Sequence, residues 1–173
     1  MMKDKEFENI KKYLEALSEK GPPYPLEIFF LLNRLAPAVS VEAIIVNESG
    51  KIFLTLRPAD DPFYANMWHF PGTILLGKET MEDGIQRIQS KEVRQILLEP
   101  ERTTRMFTHH GEDTEGKSPR GCVEHVLYLF LTNKDTVPGG EFFDLGSLPE
   151  ATVGHHRKIL QVLSVEWGDV FHV

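Results

Sequence analysis

The order of apolar and polar residues divides the chain into a helical start, a strand-rich middle and a helical end. Phe7, Ile10, Leu14 and Leu17 recur at helical spacing and stop at Lys20-Gly21, which predicts one amphipathic helix closed by a glycine. Pro22, Pro23 and Pro25 then break the chain. A short, strongly apolar helix follows from Leu26 to about Leu35, through Ile28, Phe29, Phe30, Leu31 and Leu32, and Pro37 ends it. From Val39 the period changes to that of strands. Val41 to Val46 is a buried run, Glu48-Ser49-Gly50 a turn, and Lys51 to Arg57 an alternating hairpin partner. The loop from Pro58 to Met67 carries Asp60, Asp61, Pro62, Phe63 and Tyr64, a mixture that suits either a ligand contact or an ordinary surface loop. Thr104 to His110 and Cys122 to Leu131 read as two more strands, with Gly111 to Gly121 as a polar, mobile connection between them. Glu141 to Leu145 is a short strand and Gly154 to Val165 a closing helix. Strands on both sides of one central helix, with another helix at the end, predict an α/β (α+β) fold. It takes the form of an α/β/α sandwich with a mixed sheet over residues 38–173, preceded by a helical extension over 1–37. The extension either packs on the domain or forms the contact of a homodimer.

The central helix carries the first candidate chemistry. From Thr80 onward Met81, Ile85, Ile88, Glu92 and Ile96 fall in one stripe at about 100° per residue. A carboxylate set between isoleucines is costly to desolvate unless it is protonated, paired with a cation or bound to a metal; the alternative is a glutamate that leans out at the helix end. Thr80 is placed to cap the helix, and Glu82 and Asp83 lie in its first turn, where their charge suits the helix dipole. Pro71-Gly72, just upstream, supplies a tight turn whose backbone can come close to a ligand.

Composition narrows the partners. A chain of 173 residues, 41% of them hydrophobic, can bury one sizeable core. The net charge of −7 argues against sequence-independent nucleic-acid binding, which relies on clustered Lys and Arg. A phosphorylated small molecule would therefore be met by a local group of arginines or by Mg²⁺. Cys122 is the only cysteine, so no internal disulfide and no cysteine-rich metal site can form. The first residues are charged, and no run approaches the ~18 apolar residues a membrane span needs, which makes a cytoplasmic setting the simplest expectation.

Between Trp68 and Glu92 the sequence resembles the Nudix hydrolase family, whose box reads Gly-x5-Glu-x7-Arg-Glu-hydrophobic-x-Glu-Glu-x-Gly. Setting Glu79 on the first Glu places Thr73 on the opening Gly, Arg87 on the Arg and Glu92 on the last Glu, without a gap. Ile88 and Lys91 stand where the family has two further glutamates, and Arg94 stands on the terminal Gly. In the family those glutamates gather Mg²⁺ ions that bridge a diphosphate and activate water. With Glu92 alone, joined by the Gly72 carbonyl, the resemblance implies a weak Mg²⁺ site that substrate phosphates complete. The box is locally similar to that of GDP-mannose mannosyl hydrolases, which also lack two glutamates and keep the last. That likeness implies one Mg²⁺, attack at a sugar carbon, Arg57 as a phosphate contact and His125 in the place of a strand histidine. The Gln-His pair that supplies a metal ligand and the base in that branch falls near Pro138-Gly139, where neither residue is present.

The other candidates carry two readings each. His125 lies in an apolar strand between Val123 and Leu127, so it is either a core histidine with a backbone hydrogen bond or an acid/base group. His109 and His110 are strand neighbours, of which only one can face a given side. His155 and His156 open the last helix, where they cap it or pair on the surface. Glu112, Asp113 and Glu115 offer a base or a second metal ligand from a loop, or are a solvated acidic segment. Arg57, at a strand end beside the Pro-Gly turn, reads as a phosphate contact or an exposed salt bridge. The resulting expectation is a Mg²⁺-dependent hydrolase of a nucleoside diphosphate linked to another group, such as a sugar, with Glu92 and His125 catalytic, Glu92 and Gly72 on the metal, and Arg57, Arg87 and Gly72 on the substrate. A catalytically silent domain that binds a nucleotide or a protein, and a scaffold led by the N-terminal helices, are the alternatives.

Overall fold

The computed structural model describes residues 4–93, 99–110 and 121–171, the side chains of Asp4, His109 and His110 excepted. Ile96, Arg94, Glu112, Asp113, Glu115 and the expected connection over 111–120 lie outside the described residues. Two helices, α1 (Asp4–Lys20) and α2 (Leu26–Leu35), precede strands β1 (Ala38–Asn47), β2 (Ile52–Leu56), β3 (Trp68–His69) and β4 (Gly72–Ile74). Helix α3 (Met81–Lys91) follows, then β5 (Arg102–His110), β6 (Gly121–Thr132) and β7 (Gly140–Phe143). A 3₁₀ turn (Leu145–Ser147), α4 (Gly154–Glu166) and α5 (Gly168–Phe171) end the chain. The short strands β3 and β4, on either side of Pro71, are too brief to leave a period in the sequence.

The strands form one mixed sheet in the order β3-β2-β1-β6-β5, with β4 added to β1 and β7 to β2. β1 and β6 run parallel from Ala38↔Val123 to Asn47↔Thr132, and the other pairings are antiparallel. β1 is apolar almost throughout because both its faces are covered. On one face Ile44 and Val46 pack with Leu127, Leu129 and the α4 residues Ile159, Leu160 and Leu163. On the other, Val41, Ala43 and Ile45 pack with Phe53, Phe130, Ile88 of α3 and Val93. These two cores make the expected α/β/α sandwich.

Three expectations change. Helix α3 stops at Lys91, so Glu92 is its C-cap and not a member of the helical stripe. The closing strand ends at Phe143, and Leu145 enters the 3₁₀ turn. Plain packing of the N-terminal extension holds for α2, whose Phe30 is buried with its ring 5.2 Å from that of Phe63, but not for α1. Phe7, Ile10 and Leu14 of α1 are 55%, 45% and 49% exposed.

α3 begins on a capping box in which Asp83 N–H donates to Thr80 Oγ1 (3.2 Å) and Thr80 N–H to Asp83 Oδ2 (2.8 Å). The segment leading to it is fixed by Arg87, whose Nε donates to Glu79 Oε1 (3.0 Å), its Nη2 to Glu79 Oε2 (2.6 Å) and to the Ile74 carbonyl (2.9 Å), and its Nη1 to Thr73 Oγ1. Glu79 also accepts the Leu76 N–H at 2.8 Å. The box positions Glu79 and Arg87 thus orient the turn between β4 and α3.

Candidate active site

Three backbone placements converge on Gly72. The antiparallel β1–β4 pairing sets Glu42 opposite Gly72. The end of α3 brings Glu92 to the same residue, whose backbone N–H hydrogen-bonds the Glu92 carboxylate. The parallel β1–β6 register puts His125 beside Ser40, two residues from Glu42 on the same face of the strand. Glycine is required at 72 for contact and not for backbone conformation, since a Cβ there would lie 1.8 Å from Glu42 Oε2.

Glu92 is largely withdrawn from water, and its Oε2 is buried with no hydrogen-bond partner. Desolvation pushes its pKa from 4.5 up to about 7, helped by the charge of Glu42 and opposed by the Gly72 N–H, Arg57 and Lys91. Glu92 shares a cavity of about 370 Å³ with Arg57, Pro58, Lys91 and Gly139. A second cavity of about 220 Å³ holds Glu42, Tyr64, His125 and His155, and Arg57, His69 and Gly72 line both.

Arg57 is steered by the loop that follows it. Its Nε donates to Asp61 Oδ2 at 2.9 Å and its guanidinium lies 5.6 Å from the centre of the Tyr64 ring. Asp61 accepts the N–H groups of Phe63 (3.0 Å) and Tyr64 (2.8 Å). Burial would raise the Asp61 carboxyl, but those two N–H groups and Arg57 hold it below its ordinary value.

Four histidines are buried beside this arginine: His69, His125, His155 and His156. His155 and His156 were expected on the surface as helix caps. They turn inward because the start of α4 is tied to β3, Trp68 N–H to the Ala151 carbonyl and Val153 N–H to the Trp68 carbonyl, each at 2.9 Å. His156 Nδ1 accepts the Phe70 N–H at 3.0 Å and its ring stacks on Phe70 at 4.4 Å. Burial, then the neighbouring His155, His69 and His125, push His156 well below its ordinary range. His69, with Nε2 at 3.0 Å from Thr55 Oγ1, is pushed down to about 3 by burial and by Arg57. Nδ1 of His125 lies 2.9 Å from Ser40 Oγ and 3.2 Å from Glu42 Oε1, and its Nε2 lies 2.7 Å from Thr108 Oγ1.

Of the residues expected from sequence, Glu92, Gly72, Arg57 and His125 come together around the two cavities. Arg87 does not line either, its guanidinium being engaged with Glu79, Thr73 and Ile74. Glu42 carries the same signal in the sequence as Glu92, since a lone carboxylate in the run Val41 to Val46 is costly unless partnered.

Glu92 is the residue that would hold a divalent cation: its Oε2 is buried without a hydrogen-bond partner, in a cavity lined also by Arg57 and Lys91. Among the described residues no group of three His, Cys, Asp or Glu side chains is placed to hold a metal, so the donor set is short of a full coordination shell. Among the same residues no helix is long and apolar enough to cross a membrane.

A mixed sheet between helices, with a Pro-Gly turn leading into a helix that ends in a cleft carboxylate, defines a Nudix-type sandwich. The NUDIX domain model matches residues 36–163, and the chain belongs to the Nudix hydrolase family. No curated protein matches the chain in sequence. Among solved structures it is similar to a bifunctional NMN adenylyltransferase/ADP ribose pyrophosphatase from Francisella tularensis, at 18% identity over 81% of this chain and 46% of that one, with a TM-score of 0.54. The chain therefore spans about half the length of the Francisella protein. It is similar also to the NUDIX domain of Shewanella oneidensis NrtR complexed with ADP ribose, at 16% identity over 84% of this chain and 94% of that one, TM-score 0.55. A MutT NUDIX hydrolase from Burkholderia pseudomallei matches at 24% identity over 73% of this chain and 97% of that one, TM-score 0.53. At these identities the likenesses establish the fold alone.

Proposed function

We propose that this domain hydrolyses a nucleoside diphosphate linked to a second group, a nucleotide sugar or ADP-ribose-like compound, with Mg²⁺ held by Glu92 and completed by the substrate phosphates. The observation that carries this reading is the buried, partnerless Oε2 of Glu92 in a cleft shared with Arg57 and Lys91. A carboxylate so placed, in a cavity shared with two cationic side chains, suits a metal-bound diphosphate. The metal, when bound, would neutralise phosphate charge and lower the pKa of a water. Everything else falls to the chain's own groups. The Gly72 N–H aims Glu92, Arg57 and Lys91 bind phosphate oxygens, and the Glu79–Arg87 pair fixes the turn between β4 and α3. His69 and His156 stay neutral, so they offer hydrogen bonds to a hydroxylated group without adding charge. The Francisella protein has also been solved with AMP and a Mn ion.

A silent binding domain is favoured by one feature: Ile88 is only 1% exposed, so the box position that carries a metal glutamate in the family is spent on the core. The separating experiment measures release of phosphate, nucleotide and sugar from ADP-ribose, nucleotide sugars and dinucleoside diphosphates, with and without Mg²⁺, for wild type and Glu92→Gln. Turnover that requires both Mg²⁺ and Glu92 supports hydrolysis; silence across the panel, or turnover indifferent to Glu92, overturns it. The products also fix the bond. A sugar phosphate with a nucleoside monophosphate reports attack at phosphorus, whereas free sugar with a nucleoside diphosphate reports attack at the sugar carbon.

A further inference from the structure

The geometry points to Glu42, a strand residue outside the Nudix box, as the general base of this site, with His125 as the residue that positions it. The inference rests on the hydrolase reading and names the group that reading lacks. Glu42 is a charged side chain in the middle of the central strand and only 7% exposed, an expensive position for an acid that merely fills space.

The two oxygens of its carboxylate have different surroundings. Oε1 lies 3.2 Å from His125 Nδ1, while Oε2 is turned against Gly72, the residue whose N–H holds Glu92. Glu42 and Glu92 therefore flank one glycine, from the two cavities that share Gly72 and Arg57. Arg57 and Gly72 line both cavities, so they join the Glu92 side of the site to the Glu42 side.

His125 is the obvious competitor for the role, and its contacts argue against it. Nδ1 faces Ser40 Oγ and Glu42 Oε1, Nε2 faces Thr108 Oγ1, and the residue is 2% exposed. A ring committed at both nitrogens is well built to hold a carboxylate and poorly placed to meet water. Ile88 and Lys91 occupy the box positions of two lost glutamates. Glu42 supplies a carboxylate from β1 to the adjoining cavity, where the helix supplies none. In the step, taken as attack at phosphorus, a water oxygen bonds to phosphorus, the bridging P–O bond breaks with its electron pair leaving on the departing phosphate, and the water proton passes to Glu42 Oε2 and from there to solvent.

The test is Glu42→Gln, which keeps size and hydrogen bonding to His125 but cannot accept the proton. It is assayed on the panel compound with the highest wild-type kcat/KM, alongside calorimetric binding of ADP and thermal melting. The expected result is a loss of kcat of about 100- to 1000-fold, with KM and ADP affinity within threefold of wild type. Glu42→Asp, which restores a carboxylate, should recover part of the loss. His125→Asn should lower kcat less, by about tenfold, since it loosens the base without removing it. A Glu42→Gln enzyme with kcat within threefold of a Mg²⁺- and Glu92-dependent wild type would overturn the role of Glu42 and leave the hydrolase reading standing. Equal losses in kcat, KM, ADP binding and melting temperature would make Glu42 a structural residue and also overturn it. Wild-type silence on the whole panel removes the hydrolase reading, and the base falls with it.

Discussion

Replacing Glu92 with glutamine should stabilise the metal-free protein at alkaline pH and remove its response to Mg²⁺. Burial raises the Glu92 carboxyl from 4.5 to about 7, so between those values the folded protein holds a proton that the unfolded chain has released. Stability contributed by this group is accordingly present at low pH and falls as pH rises through that window. At about 1.4 kcal/mol per pH unit, the ionised carboxylate costs the fold about 3 kcal/mol above pH 7, most of it acquired between pH 5 and 8. Glu92→Gln keeps the acceptor for the Gly72 N–H and has no charge to bury. The assay is urea unfolding of both proteins at pH 5, 6, 7 and 8 in chelator, repeated in millimolar Mg²⁺. The difference in unfolding free energy should grow by about 2 to 3 kcal/mol in favour of the variant from pH 5 to pH 8 without metal. Mg²⁺ should close that gap by stabilising the wild type alone. A difference that is flat with pH, or an equal Mg²⁺ effect on both proteins, would refute the placement of a costly, cation-seeking carboxylate at this position.

Other expectations follow from single contacts. His69 and His156 have folded-state pKa values depressed by burial, so their contribution is present above about pH 6.5 and lost as pH falls. His156→Asn, which keeps an acceptor for the Phe70 N–H, should therefore shift the acid unfolding midpoint of the protein downward, and an unchanged midpoint in a circular-dichroism titration would refute this. Gly72→Ala would drive a Cβ to 1.8 Å from Glu42 Oε2, and should abolish turnover while costing about 1 to 3 kcal/mol in a denaturant melt. Arg87→Lys keeps the charge but not the planar fork that spans Glu79, Thr73 and Ile74; it should cost about 1 to 2 kcal/mol and raise hydrogen exchange in the segment before α3.

The local patterns were readable in the chain itself. The change of period at Val39, the double-sided apolar run of β1, the Thr80 cap and the box interval from Glu79 to Glu92 all depend on near neighbours, and each appears in the fold with small shifts of boundary. What the sequence concealed depends on register. Glu42 meets Gly72 only because β4 pairs with β1, and His125 reaches Ser40 and Glu42 only through the parallel alignment of β1 and β6, 85 residues apart for the Ser40 contact. His155 and His156 look like surface caps when α4 is read alone and become buried when Trp68 and Val153 tie its start to the sheet. Even the stripe that singled out Glu92 was correct for Ile88 and misleading for its C-cap, where the helix ends one residue earlier. The sequence by itself determined the longer elements, their order and the family, because periodicity and box spacing are local properties. Only the tertiary structure decided which carboxylates meet at Gly72 and which histidines lose their water, because desolvation and charge pairing arise between residues far apart in the chain.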